Sequence, residues 1–229
     1  MAKKTTKVTR KELLKKPDEF LTISNRILSY LTEHLKECKI IGAALVVILI
    51  GYLSIHFYLG YVNEKGQNSY NKACLQWNNN AENVPDQEKF KQTESMFLDV
   101  INKYSFSKAA HLALPQVAHL RFLNNEYDGA IELYSEFLSK VSDDLQCQVI
   151  TKVALATCYE AQGQLQKAID ILIPILDGPD NLAQEAAMFN LARIYQLSNN
   201  NDKANELFNN FIEQYKKSPF ISMAKAYLS

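Results

Sequence analysis

Hydrophobic and polar positions change their spacing twice along the chain. Phe20, Ile23, Ile27, Leu31 and His34 recur at three- and four-residue steps, opposite a polar face of Asn25, Arg26, Glu33 and Lys36. That period sets them on one side of a helix. Between Ile40 and Val62 the period disappears, because the stretch is apolar throughout and holds no Asp, Glu, Lys or Arg. Beyond it Tyr70, Ala73, Cys74 and Trp77 restart a helical stripe, and similar segments follow to the end, separated by polar loops. The first such loop, 78–86, is rich in Asn and closes on Pro85-Asp86, which is turn chemistry. No segment alternates apolar and polar residues as a half-buried strand does. The expected fold is all-α.

The uncharged stretch is long enough to change the solvent of the chain. A hydrocarbon core about 30 Å thick needs roughly 20 apolar residues in a helix, and Ile40–Val62 meets that with some tilt. Tyr52, Tyr58 and Tyr61 gather towards its C-terminal half, where aromatic rings suit a headgroup boundary. His56 and Ser54 lie within it, and His56 is close enough to the interface to stay neutral.

Charge then orients this span. The 229 residues have no formal net charge, but residues 1–39 hold ten Lys and Arg against five Asp and Glu. An excess of five cations before the span is balanced by five acids after it. Flanking cations stay on the cytoplasmic side, so the N-terminus is expected inside and the C-terminal domain in the periplasm. A cleaved leader is disfavoured, because its basic region would be too long and no small-x-small site follows the apolar run. No Cys follows closely enough to accept a lipid. The expected organisation is a basic cytoplasmic tail over 1–39, a transmembrane helix over 40–62 and a helical domain over 63–229, held in the bacterial inner membrane by one signal anchor. Residues 1–16 read as disordered, and Lys15–Glu19 as the start of an amphipathic helix able to lie on anionic lipid or pack on a partner.

The outer domain repeats itself. Leu155-Ala156-Thr157-Cys158-Tyr159 recurs 36 residues later as Leu191-Ala192-Arg193-Ile194-Tyr195. Small residues follow at the same interval, Ala168 and Ala204, then Leu172 and Phe208, then Ile175 and Phe211. An earlier copy holds Val117-Ala118, Ala130, Tyr134 and Phe137, with Ala130 lying 38 residues before Ala168. Asn125, Gly163 and Asn199 sit between the large and small anchors, where a helix–helix turn is needed. On these residues the chain resembles a tetratricopeptide repeat (TPR) protein. The resemblance implies a solenoid of about four helix-turn-helix repeats, in which a small residue on helix B marks its close crossing with helix A. A first copy fits only partly, with Phe90, Phe97 and Ile101 in register but Thr93 in place of the small residue. Arg121 stands where the second copy should have its Tyr. The segment to Ser229 is expected to be a helix capping the last repeat.

Candidate chemistry is absent. There is no phosphate-binding Gly loop, no H-E-x-x-H and no C-x-x-C or nucleophile motif, so no catalytic, metal or cofactor residues are expected and the protein is read as a non-enzyme. His34, His56, His111 and His119 lack ligand spacing. Cys147 and Cys158 fall about 16 Å apart on one helix, too far to bridge, and read as small buried hydrophobes. A pairing of Cys74 with one of them stays open. The acidic domain has no basic, aromatic-interleaved face for nucleic acid.

Binding is what remains. The TPR resemblance implies an inner groove lined by A-helix side chains, here His119, Phe122, Val153, Thr157, Glu160, Phe189, Arg193 and Gln196, taking protein or peptide partners. A basic tail, one span and a short acidic repeat domain together resemble the ancillary subunit of the bacterial Sec translocon. That layout implies chaperone or assembly work on exported proteins. A scaffold for a cell-wall or outer-membrane assembly machine and a receptor of inverted topology are the alternatives; the charge bias opposes the last.

Overall fold

The structure, a computed structural model, describes residues 19–81, 87–179 and 183–228. The expected disorder of 1–16, the helix start at Lys15–Asp18 and most of the 78–86 loop lie outside them. All regular structure among the described residues is helical: α1 Glu19–Glu33, α2 Leu35–Ala81, α3 Gln87–Lys103, α4 Lys108–Leu123, α5 Tyr127–Lys140, α6 Leu145–Ala161, α7 Leu165–Leu176, α8 Gln184–Leu197, α9 Asn201–Gln214 and α10 Ile221–Leu228. The chain divides into two compact units, Met1–Tyr58 and Leu59–Ser229.

In the first unit the apolar face of α1, with Ile23, Ile27 and Leu31, is exposed. So is every large apolar side chain of α2 from Ile40 to Tyr58. This is one helix long and apolar enough to cross a membrane, with a mean hydropathy of 2.4. Water is a poor solvent for such a surface, since each Å² of apolar area left exposed forgoes about 25 cal/mol.

In the second unit α2 is built differently. Val62, Gly66, Tyr70, Ala73 and Trp77 recur at helical spacing and turn inward, and Val62 is only 6% exposed. Tyr70 meets the Phe97 ring edge-on at 5.6 Å, and Trp77 meets Phe90 at 5.5 Å, so α3 packs along this stripe. Gly66 is needed for the close approach of the α3–α4 turn, since a methyl there would stand 2.7 Å from Ser107 Oγ and 3.2 Å from Tyr104 Cβ. The remaining helices pack in sequence as α4 with α5, α6 with α7 and α8 with α9, and α10 covers α9. With α2 and α3 these make four repeats and a closing helix.

Three A–B turns share one backbone solution. Asn125, Gly163 and Asn199 adopt φ of 64°, 73° and 59°, left-handed values that Gly and Asn tolerate best. In each turn the left-handed residue and its successor return two hydrogen bonds to the preceding helix. Gly163 N–H donates to Glu160 O at 2.8 Å, and Gln164 N–H donates to Tyr159 O at 2.8 Å. The pair satisfies carbonyls that a helix end leaves open.

The helix crossings fall on the small residues. Ala130, Ala168 and Ala204 are all buried, with Phe137, Leu172, Ile175, Phe208 and Phe211 packed beside them. Thr93 occupies the same place in the first repeat, fully buried, and donates its hydroxyl to Lys89 O at 2.9 Å. The extra polar atom is thereby satisfied. All four cysteines are free thiols, so Cys74 pairs with neither of the others.

Candidate protein-binding face

The eight groove residues divide once their contacts are known. Arg193 and Glu160 come together across repeats: Arg193 Nη2 donates to Glu160 Oε2 at 2.7 Å, and Nη1 donates to Oε1 in a two-pronged pair. Asn190 Oδ1 accepts a further bond from Arg193 at 3.2 Å. Both side chains are largely covered, so the pair ties α6 to α8 and neither charge is free to hold a partner's terminus. Breaking one side of such a pair strands the other.

Phe189 is a correction. It is 5% exposed and lies among the rings of Phe208, Phe211, Phe220 and Tyr227, at 5.1 to 6.4 Å. In the last repeat α10 and its preceding turn close over this position, through Tyr227 and Phe220. Phe189 belongs to the core that holds the cap.

The other residues are half-buried or exposed. His119 is exposed with its ring edge-on to Trp77 at 6.3 Å, and partial desolvation there lowers its imidazole pKa. Phe122 stacks obliquely on Tyr127 at 5.6 Å, Val153 leans on the core of the third repeat, and Thr157 donates its hydroxyl to Val153 O at 3.0 Å. Gln196 Oε1 is buried without a hydrogen-bond partner, which leaves an acceptor available to an incoming donor.

A feature missed from the sequence lies on the same helices. Leu112 and Ile150 are exposed at equivalent positions of α4 and α6, and Leu123 and Leu197 are exposed at the ends of α4 and α8. Positions 112, 116, 119 and 123 share one face of α4, as do 150, 154, 157 and 161 on α6 and 186, 190, 193 and 197 on α8. His119, Thr157 and Arg193 thus sit mid-face, with apolar side chains at one or both ends of each row. The signal was present in the 38- and 36-residue offsets, applied to exposed rather than core positions.

Cys147 and Cys158 are held as thiols rather than primed as nucleophiles. Burial pushes the Cys158 thiol up to about 11, and a hydrogen bond with Asp144 raises that of Cys147. Among the described residues no cluster of His, Cys, Asp and Glu could hold a metal ion. A shallow cleft of about 240 Å³ opens between α7 and α9, where Lys203 lies over the Tyr195 ring at 5.1 Å.

This architecture is shared with solved structures. A Podosopora anserina protein, described as kinesin light chain nearly identical TPR-like repeats, matches with a TM-score of 0.54 and 17% identity, over 72% of this chain and 84% of that one. A tetratricopeptide repeat protein from Parabacteroides merdae matches with a TM-score of 0.54 and 16% identity, over 70% of this chain and 59% of that one. At such identities the likeness is one of fold. No curated protein matches the sequence. Residues 67–217 match the family described as the SusR N-terminal TPR domain, from the first repeat to the start of the cap. TPR repeats are protein-interaction scaffolds, and the chain belongs to the SusR N-terminal TPR domain family.

Proposed function

We propose that this is a single-pass inner-membrane protein whose TPR domain, residues 63–229, works in the periplasm. It binds exported or envelope proteins there and acts as a chaperone or assembly factor beside the Sec translocon. The observation that carries the reading is α2 itself. Its large apolar side chains from Ile40 to Tyr58 are exposed on every side of the helix, as those of a lipid-facing span would be. A binding module that follows such a span is tethered to the membrane. The basic excess before the stretch supports the outward orientation. The row of Leu112, Ile150, Leu123 and Leu197 around His119 and Thr157 supports an apolar, undemanding contact, suited to unfolded or extended chains.

Photo-crosslinkers at Leu112, Ile150 and Leu197, with Asp170 on the opposite class of helix as reference, test this in intact membranes followed by mass spectrometry. Translocon subunits together with many exported proteins, captured from the A-helix positions and not from Asp170, are the expected result. One dominant envelope protein would make the chain a scaffold instead. Capture of cytosolic proteins, or capture from Asp170 alone, would overturn the reading.

A further inference from the structure

The turn between α3 and α4 carries Phe106, which is 73% exposed, more than any other large apolar side chain among the described residues. A single exposed phenylalanine is ordinary on a protein surface. What sets this one apart is its place in the repeat. Phe106 immediately precedes Ser107, the N-cap of α4, which accepts a hydrogen bond from Ala110 N–H at 3.0 Å. The matching residue before the Asp144 cap of α6 is Asp143, and the one before Ser218 is Lys217. The same position is thus charged in the turns that lead into α6 and α10, is Leu182 before the Ala183 cap of α8, and is aromatic in the turn nearest the start of the solenoid.

That turn is also fastened to the part of α2 that leaves the apolar stretch. Lys108 N–H donates to Asn63 Oδ1 at 3.0 Å, and Ser107 packs directly on Gly66. Val62 to Gly66 is four residues, a rise of about 6 Å. The headgroup zone on each side of a bilayer is about 5–8 Å deep, the difference between the hydrocarbon core and the whole membrane. With Val62 as the end of the proposed span, a turn docked at Asn63 and Gly66 falls at headgroup depth. Lys108 and Lys65 are exposed beside it, and Lys65 sits 5.7 Å from the centre of the Tyr61 ring, an aromatic suited to the same boundary.

We infer that the α3–α4 turn is a second membrane contact, in which Phe106 enters the headgroup–acyl boundary and Lys65 and Lys108 face anionic headgroups. The inference rests on the reading of Ile40–Val62 as a span. Two contacts fix the rotation of the first repeat about the axis of α2, which one helix alone leaves free. The binding face of the later A helices then meets incoming chains at a set angle to the membrane.

The full chain is reconstituted in vesicles of phosphatidylethanolamine and phosphatidylglycerol carrying brominated acyl chains, as Phe106→Trp and, separately, Asp143→Trp. The native Trp77 lies roughly 22 Å further along α2 than Val62, out of reach of the quencher, and gives a constant background. The Phe106→Trp emission should shift to the blue and lose most of its intensity to the bromine, while the Asp143→Trp emission keeps both. If the chain floats with the vesicles but position 106 stays unquenched, or if position 143 is quenched equally, the second contact is overturned and the anchor stands. If the unsubstituted chain does not float, the anchor fails and this inference fails with it.

Discussion

The second repeat, α4 and α5, and the fourth, α8 and α9, run in step at a constant offset of 74 residues, and what they keep differs from what they exchange. They keep Asn125 and Asn199 at left-handed turns, Ala130 and Ala204 at the crossing, and Phe137 and Phe211 beneath it. They exchange Arg121 and Gly129 for Tyr195 and Lys203. In the fourth repeat Lys203 lies over the Tyr195 ring, as Lys167 lies over Tyr159 at 5.2 Å in the third. In the second, Arg121 folds across Gly129, where a methyl would meet its Cδ at 3.1 Å, and reaches Glu94 Oε1 at 3.0 Å. Backbone angles and close crossings admit few residues, so those positions hold. A side-chain contact can be traded if both partners change together.

The largest expected effect separates the repeats by their neighbours. Phe189 in the fourth repeat corresponds to half-buried Pro115 in the second, and its ring packs on Phe208 and Phe211 of α9 and on Phe220 and Tyr227 at the closing helix. Phe189→Ala should cost about 3–5 kcal/mol in urea melts of the Leu59–Ser229 unit, as for other buried aromatics. A loss under about 0.5 kcal/mol would return it to the surface, where groove residues belong.

The next effect should be common to the repeats. Ala130→Leu, Ala204→Leu and, between them, Ala168→Leu each force extra volume into a filled crossing and should cost about 1–3 kcal/mol. Should any of them melt within a few tenths of the parent, the alignment of that repeat is wrong.

The smallest effect tests the trade itself. Arg121→Tyr alone breaks the Glu94 pair, and Gly129→Lys alone collides with Arg121. Made together they recreate the Tyr–Lys contact of the later repeats. A double-mutant cycle should show favourable coupling of about 0.5–1 kcal/mol. Simple additivity would mean that the two positions are independent.

What was legible in the sequence follows the same division. Asn125, Gly163 and Asn199, the alanine crossings and the all-α repeat order could be read because each depends on local backbone geometry repeated at a fixed interval. Phe189 could not, since Phe220 in the turn before α10 and Tyr227 on α10 close over it from residues more than 30 positions away, together with Phe208 and Phe211 of α9. Glu160 and Arg193 were picked out singly, yet their bond joins residues 33 apart and shows only when adjacent A helices are laid side by side. Arg121 looked like decay of the motif because its compensation lies on another helix, at Gly129. The exposed leucines were passed over because an apolar residue in a helix is first counted towards the core.

The proposed function places both repeats in the periplasm, across the membrane from the basic tail. Alkaline phosphatase fused after Ser229 in a bacterial host, with a cytosolic reporter at the same point in a parallel strain, tests that placement most directly. The basic tail, the uncharged stretch and the acidic repeat domain predict an active phosphatase and a silent cytosolic reporter. A silent phosphatase with an active cytosolic reporter would place the solenoid inside the cell and contradict the account.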